Sequence, residues 1–221
     1  MGKLIVFEGI DGSGKSTQMK LLCDRLSAEK ETFKRLTFPR YSEESSALLR
    51  MYLGGKFGSR PDDVNPYAAS TFFAVDRFAS YAEEWRDYYK NGGLLITDRY
   101  TTSNAIHQGS KLREGERDEF FRWLYEFEFG RMELPKPDVV LYMDIPLETA
   151  IAQMRKREAE KNTTGDIHET DNEYLLRCQS CGRHAAEVLG WHKIPCVNHG
   201  QMRPIEDIHN EIYNYIRNEV L

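Results

Sequence analysis

The stretch Gly9-Ile10-Asp11-Gly12-Ser13-Gly14-Lys15-Ser16 decides how this chain is read. It fits G-x-x-x-x-G-K-[ST], a loop that wraps a phosphate. Before it, Leu4-Ile5-Val6-Phe7 is short, apolar and partly β-branched, as a buried parallel strand should be. After it, Met19, Leu22 and Leu26 recur at helical spacing between Lys15 and Ala28. The motif therefore lies between a strand and a helix, the setting it needs. Glycines let the backbone close round an anion, and N–H groups at the helix start point at it. Gly9, Asp11, Gly12, Ser13, Gly14, Lys15, Ser16 and Thr17 form the expected ATP cradle. Lys15 would reach the β- and γ-phosphates, and the Ser16 hydroxyl would take a place on Mg²⁺.

A chain of 221 residues, 40% hydrophobic and 29% charged, suits one globular domain with a sizeable core. The net charge of −5 argues against a nucleic-acid polymer or an anionic membrane as the main partner. Phosphate must then be handled by local arginines and backbone N–H groups. No run approaches the ~20 apolar residues of a membrane span, and the first apolar run is too short for a signal peptide. The expected location is cytoplasmic, with the four cysteines as free thiols. Cys178 and Cys181, with His184, His192 and His199 nearby, raise a zinc site, but lack a second close ligand pair at ordered spacing. They are read as core and surface residues.

Strands and helices alternate, which implies an α/β fold. The expected architecture is a P-loop three-layer αβα sandwich, with a five-stranded parallel sheet and helices on both faces. Strands are expected near 3–8, 33–38, 94–97, 139–143 and 193–197. Helices are expected near 15–29, around Leu48–Leu53, at 66–89 and 114–130, from Pro146, and at 171–189 and 204–219. Residues 54–66 and the polar stretch after Tyr100 read as loops. The polar run from Ala159 to Thr170 reads as a mobile segment, so a single domain carries a lid at about 157–171.

In an open parallel sheet, ligands bind beyond the C-terminal ends of the strands. The phosphate loop, Arg40, Asp98-Arg99 and Asp144 all fall there. A hydrophobic strand ending in aspartate can place a carboxylate on Mg²⁺ or its waters. Asp98 is favoured over Asp144 because Arg99 follows it. Arginines beside a phosphate loop match the oxygens of a second phosphate, which points to phosphoryl transfer between two phosphorylated ligands. The absence of an Asn-Lys-x-Asp segment argues against a GTPase switch.

Five segments, in order and at matching spacing, make the chain resemble the thymidylate kinase family. They are Phe7 to Thr17, Phe38-Pro39-Arg40-Tyr41, Phe73-Ala74-Val75-Asp76-Arg77, Asp98 to Asn104, and Leu134-Pro135-Lys136-Pro137-Asp138. The resemblance implies transfer from ATP to dTMP, giving dTDP. It places Asp11 near the deoxyribose 3′-hydroxyl and the phosphates, and Arg40, Tyr41 and Arg99 on the dTMP phosphate. It stacks thymine on Phe73, sets Arg77 on O4, and makes Asn104 a reader of the base edge. Phe38 and Ser103 fall within the same segments and join the acceptor site. His107 stands where relatives often carry Tyr or Phe beside the sugar, which opens the question of ribonucleotide exclusion. His168 would cover the ligand, and Glu169 would approach the metal or phosphate.

Some relatives carry an arginine inside the phosphate loop, where this chain has Gly12 and Ser13. Positive charge for the moving phosphoryl group must then come from elsewhere. The lid offers Arg155 and Arg157, which point roughly 200° apart on a regular helix, and family spacing favours Arg157. The resemblance also implies a homodimer, through the long helix from Pro66 to Tyr89. Two other readings stay open: a kinase for another nucleotide or for a deoxynucleoside, and an ATP-driven switch or binding protein.

Overall fold

The computed structural model describes residues 1–161 and 172–221, with the backbone alone at 157–161 and 172. The first half of the chain runs β1 (Lys3–Glu8), α1 (Lys15–Ala28), β2 (Phe33–Thr37), α2 (Ala47–Leu53), α3 (Pro66–Ser80), α4 (Arg86–Lys90), β3 (Leu94–Asp98), α5 (Thr101–His107) and α6 (Arg117–Tyr125). The second half runs β4 (Val139–Asp144), α7 (Leu147–Lys161), α8 (Asn172–Val188), β5 (His192–Pro195), β6 (Val197–Asn198), β7 (Gln201–Met202) and α9 (Ile205–Glu219).

The main sheet has the order β2-β3-β1-β4-β5, and its neighbouring strands pair parallel. β1 lies at its centre, which accounts for its unbroken apolar run: Leu4, Ile5, Val6 and Phe7 are fully buried. α1 packs on β1, β3 and α9, while α5 packs on α3, α6 and α8. Two helix groups therefore cover the two faces, the sandwich that the sequence implied. At the edge, β2 buries only Leu36 and exposes Lys34 and Arg35, a charged edge that discourages pairing with another chain.

The structure departs from the sequence reading at several points. The polar stretch after Tyr100 is not a loop: it holds α5. Its hydroxyl and amide residues face buried carboxylates while Ala105 and Ile106 enter the core, so polarity masks the apolar side. The helix expected at 114–130 is α6 continued by a π-helical turn, Glu126–Arg131. A second π-helical turn, Tyr81–Trp85, joins α3 to α4 in the helix expected at 66–89. After β5 the chain makes a small hairpin that the sequence reading lacked. Its two turn residues, His199 and Gly200, have φ of 48° and 77°, which suits a tight two-residue connection. Cys178 and Cys181 are buried against the α5 segment, and His184 pairs with Asp118 at 2.6 Å. Among the described residues no helix is long and apolar enough to cross a membrane.

Residues 54–65 are tied down by long-range bonds. Lys111 donates to the Tyr52 hydroxyl at 2.8 Å and to the Val64 carbonyl at 3.1 Å, and Arg177 pairs with Asp62 at 2.7 Å. Burial pushes the Lys111 ammonium down to about 8, against the pull of Asp62. Its two acceptors can be satisfied by a neutral amine. Between about pH 8 and the ordinary lysine value of 10.5, the folded protein releases this proton while the unfolded chain keeps it. Stability from this group therefore rises with pH across that window. We expect wild type to gain stability relative to Lys111→Met as pH is raised from about 8 to 10, read by denaturant unfolding. A difference that stays flat with pH contradicts this.

Candidate active site

The loop after β1 turns through glycines in left-handed conformations: Gly12 has φ 80° and Gly14 has φ 88°. A Cβ on Gly12 would lie 2.2 Å from the Ala150 carbonyl oxygen of α7. A side chain at this position would have to displace the Ala150 backbone. Ser13 is buried, and its hydroxyl has no partner. Lys15 donates to the Ile10 carbonyl at 3.0 Å and stands 3.9 Å from Asp11. Burial, reinforced by Arg99, lowers the Lys15 pKa, and Asp11, Asp98 and Glu8 partly restore it. Ser16 donates to Asp98 Oδ2 at 2.6 Å, while Asp98 Oδ1 is buried without a partner. A hydroxyl beside a half-used carboxylate is a donor set that fits Mg²⁺ and its waters.

Two clefts meet at this loop. The donor cleft, about 1170 Å³, follows the phosphate loop and is walled on the α7 side by Gln153, Met154 and Lys156. The acceptor cleft, about 730 Å³, extends towards α3 and α5. Asp11 and Arg99 line both. They form an ion pair of 2.5 Å. Burial alone would raise Asp11, but Arg99 and Lys15 outweigh it and hold the carboxyl well below the usual range. Burial opposes the Arg99 charge, and Asp11, Glu8 and Asp98 more than restore it. Arg99 Nη1 also reaches Ser103 Oγ at 3.3 Å and His107 Nε2 at 2.9 Å. Guanidinium only donates, so Nε2 accepts and the ring proton sits on Nδ1, 3.6 Å from Cys178 Sγ.

The far end of the acceptor cleft is fixed by buried bonds. Arg77 makes a two-pronged ion pair with Glu128, at 2.7 and 2.6 Å. Glu128 also accepts from Thr101 Oγ1 at 2.7 Å and Asn104 Nδ2 at 3.4 Å. Asn104 Nδ2 donates to the Ser70 carbonyl as well. Phe73 packs edge-on against Tyr52. Gln108 lines the cleft and is wholly buried, yet neither atom of its amide has a partner.

The structure brings together most of the residues singled out in the sequence. Asp11, Phe38, Tyr41, Phe73, Arg77, Arg99, Ser103, Asn104 and His107 line the acceptor cleft. Asp11, Gly12, Gly14, Lys15, Ser16, Thr17 and Asp98 line the donor cleft. Arg40 stands beside the cleft between two of its lining residues, Pro39 and Tyr41, and its guanidinium bonds Asp76, Ser45 and Glu84. Asp76 accepts from both the Arg40 backbone and side chain and holds the 38–41 segment in place. Arg155 is exposed, and among the described side chains of α7 the cation that lines the donor cleft is Lys156. Asp144 pairs with Arg183 at 2.8 Å. The Arg157 side chain and all of His168 and Glu169 lie outside the described residues.

Sequence reasoning passed over Glu8, Asp76, Gln108, Glu128 and Lys156. Glu8 and Glu128 did leave a signal: each is an acid set within apolar neighbours, Phe7-Glu8-Gly9 and Phe127-Glu128-Phe129. An acid in such a setting is buried only with partners.

A phosphate loop that faces a second, cation-lined cleft across a shared ion pair defines a P-loop phosphotransferase. Comparison with known proteins narrows this class. The family description "Thymidylate kinase" matches residues 7–212, and the chain belongs to that family. It is 32% identical over 190 residues to a thymidylate kinase of Mycobacterium tuberculosis, covering 85% of this chain and 87% of the relative. It is 32% identical over 149 residues to the thymidylate kinase of Homo sapiens, covering 67% of this chain and 64% of the relative. A solved thymidylate kinase structure from Candida albicans aligns with a TM-score of 0.71 over 98% of this chain and 92% of that one. At 21% identity that likeness speaks to the fold.

Replacing Glu128 by Leu would leave Arg77 charged and buried without its partner. We expect Glu128→Leu to lose about 3 kcal/mol of stability in denaturant unfolding. A loss within about 0.5 kcal/mol would show that water reaches the pair.

Proposed function

We propose that the protein phosphorylates dTMP to dTDP with ATP as donor, by direct in-line transfer. The single observation that carries this is the Asp11–Arg99 pair, which forms the wall common to both clefts. The donor's γ-phosphate and the acceptor phosphate then meet at one part-buried cation. The acceptor oxygen is already anionic near neutral pH, so no protein base is required. The O–P bond forms on the acceptor side as the bond to the ADP oxygen breaks.

Each residue has a role in this reading. Lys15 and the loop N–H groups hold the β- and γ-phosphates. Ser16 and Asp98 would hold Mg²⁺, which when bound neutralises phosphate charge. Lys156 lines the donor cleft from α7 and brings a second positive charge beside Lys15, where the loop has no arginine. Arg99 binds the acceptor phosphate, with Tyr41 beside it. At the other end, Phe73 packs on the base. Arg77 is preset by Glu128 to donate to it, and Asn104 and Gln108 read its edge. A buried amide without a partner is unfavourable by about 1–3 kcal/mol. The imide edge of thymine offers a donor between two acceptors and suits the Gln108 amide.

ADP formation with Mg-ATP and a panel of acceptors tests this. We expect strong preference for dTMP over dCMP, dGMP and thymidine. We expect Gln108→Leu to lower kcat/KM for dTMP by about 10- to 100-fold, and Lys156→Met to lower kcat by tens of fold with little change in the KM for dTMP. Activity on thymidine alone would move the protein to the nucleoside kinases. ATP hydrolysis indifferent to any acceptor would make it a switch.

A homodimer through α3 belongs to the same proposal. Val75 and Phe78 are 48% and 45% exposed and three residues apart, hence on one helix face. We expect light scattering to find a dimer that Phe78→Glu converts to a monomer; a wild-type monomer would contradict it.

A further inference from the structure

Glu8 ends the central strand and is wholly buried. Four donors converge on its carboxylate. Thr102 Oγ1 lies at 2.7 Å, Ser103 Oγ at 2.8 Å, and the N–H groups of Tyr100 and Gly9 at 3.3 and 3.4 Å. Three of them belong to the residues directly after Arg99. Arg99 itself has φ 69°, a left-handed conformation that a non-glycine residue keeps only when its surroundings impose it. The turn is pinned on each side. The Arg99 N–H donates to the Phe7 carbonyl at 3.2 Å, and Thr97 Oγ1 donates to the Arg99 carbonyl at 3.0 Å.

We propose that Glu8 is the positioning residue that holds the Arg99 turn, and so aims the guanidinium at the acceptor phosphate. The hydrogen inventory makes the link directional. Ser103 has one hydroxyl proton. Giving it to Glu8 leaves the Ser103 oxygen free to accept from Arg99 Nη1. A line of donation therefore runs from Arg99 through Ser103 to Glu8, and it needs an acceptor at its end. Burial raises the Glu8 pKa, while Arg99, the two hydroxyls and Lys15 draw it back towards the ionised form. An amide in its place has one oxygen instead of two. Its amino group would face the Gly9 N–H and the Ser103 hydroxyl, both donors in the native arrangement. Glu8 also ties the start of the phosphate loop to α5, so one carboxylate sets the register between the two clefts.

This inference rests on the reading of the acceptor as a nucleoside monophosphate, and the test separates the two. Dissociation constants for dTMP and for thymidine are measured by calorimetry on wild type, Glu8→Gln and Thr102→Val. Thymidine lacks the phosphate, so it reports on the base and sugar end alone. We expect Glu8→Gln to weaken dTMP by about tenfold or more and thymidine by less than about twofold. Thr102→Val removes one hydroxyl donor at nearly constant shape. It should weaken dTMP by about threefold in the same phosphate-selective way. Should Glu8→Gln fail to fold, Thr102→Val decides by itself. Unchanged dTMP affinity, or equal losses for both ligands, would overturn the positioning role. Failure of wild type to bind either ligand would overturn the acceptor reading, and this inference with it.

Discussion

The part-buried ion pair between Asp11 and Arg99 is the contact on which the site depends. The two residues leave adjacent strands, because β1 pairs with β3 and Phe7 lies opposite Asp98. The sheet register therefore brings the phosphate loop and the Arg99 turn to one point. Around that point stand three carboxylates, Glu8, Asp11 and Asp98, and two cations, Lys15 and Arg99. Lys15 bonds the Ile10 carbonyl within the loop, and Arg99 bonds Asp11, Ser103 and His107.

The acceptor cleft is held at one end by a buried hydrogen-bond network. At the base end, Arg77 is locked by Glu128 and shares it with Thr101 and Asn104. In the proposed reading the base lies beside Phe73 against this preset surface. At the other end of the cleft, Tyr41 is 54% exposed. Preset polar groups serve selectivity because a wrong ligand leaves them unpaired. Arg40 supports the cleft wall. Its bonds to Asp76 and Glu84 hold the strand-end segment that carries Phe38 and Tyr41.

Much of this was legible in the sequence. The motif from Gly9 to Ser16, flanked by a strand and a helix, fixed the donor side. The alternation of strands and helices gave the parallel sheet. What escaped was of two kinds. α5 was hidden because its polar residues point at buried carboxylates, so the pattern of burial differs from the pattern of polarity. The partners themselves, Glu8, Asp76 and Glu128, act at long range in sequence. Glu8 lies 94 residues from Thr102, and Arg77 lies 51 from Glu128. No local periodicity records such pairs. Helix phase also separates neighbouring cations on α7. Arg155 and Lys156 are neighbours in sequence and differ by about 100° in direction, so which one faces the donor cleft depends on how α7 is seated.

The most direct measurement is the affinity of Arg99→Met for dTMP and for thymidine. If Arg99 is the cation that the two clefts share, removing it erases the contribution of the acceptor phosphate. The two ligands should then bind the variant with nearly equal affinity, while wild type binds dTMP far more tightly. If dTMP keeps its full advantage in Arg99→Met, another group holds its phosphate, and the account of the shared wall is wrong.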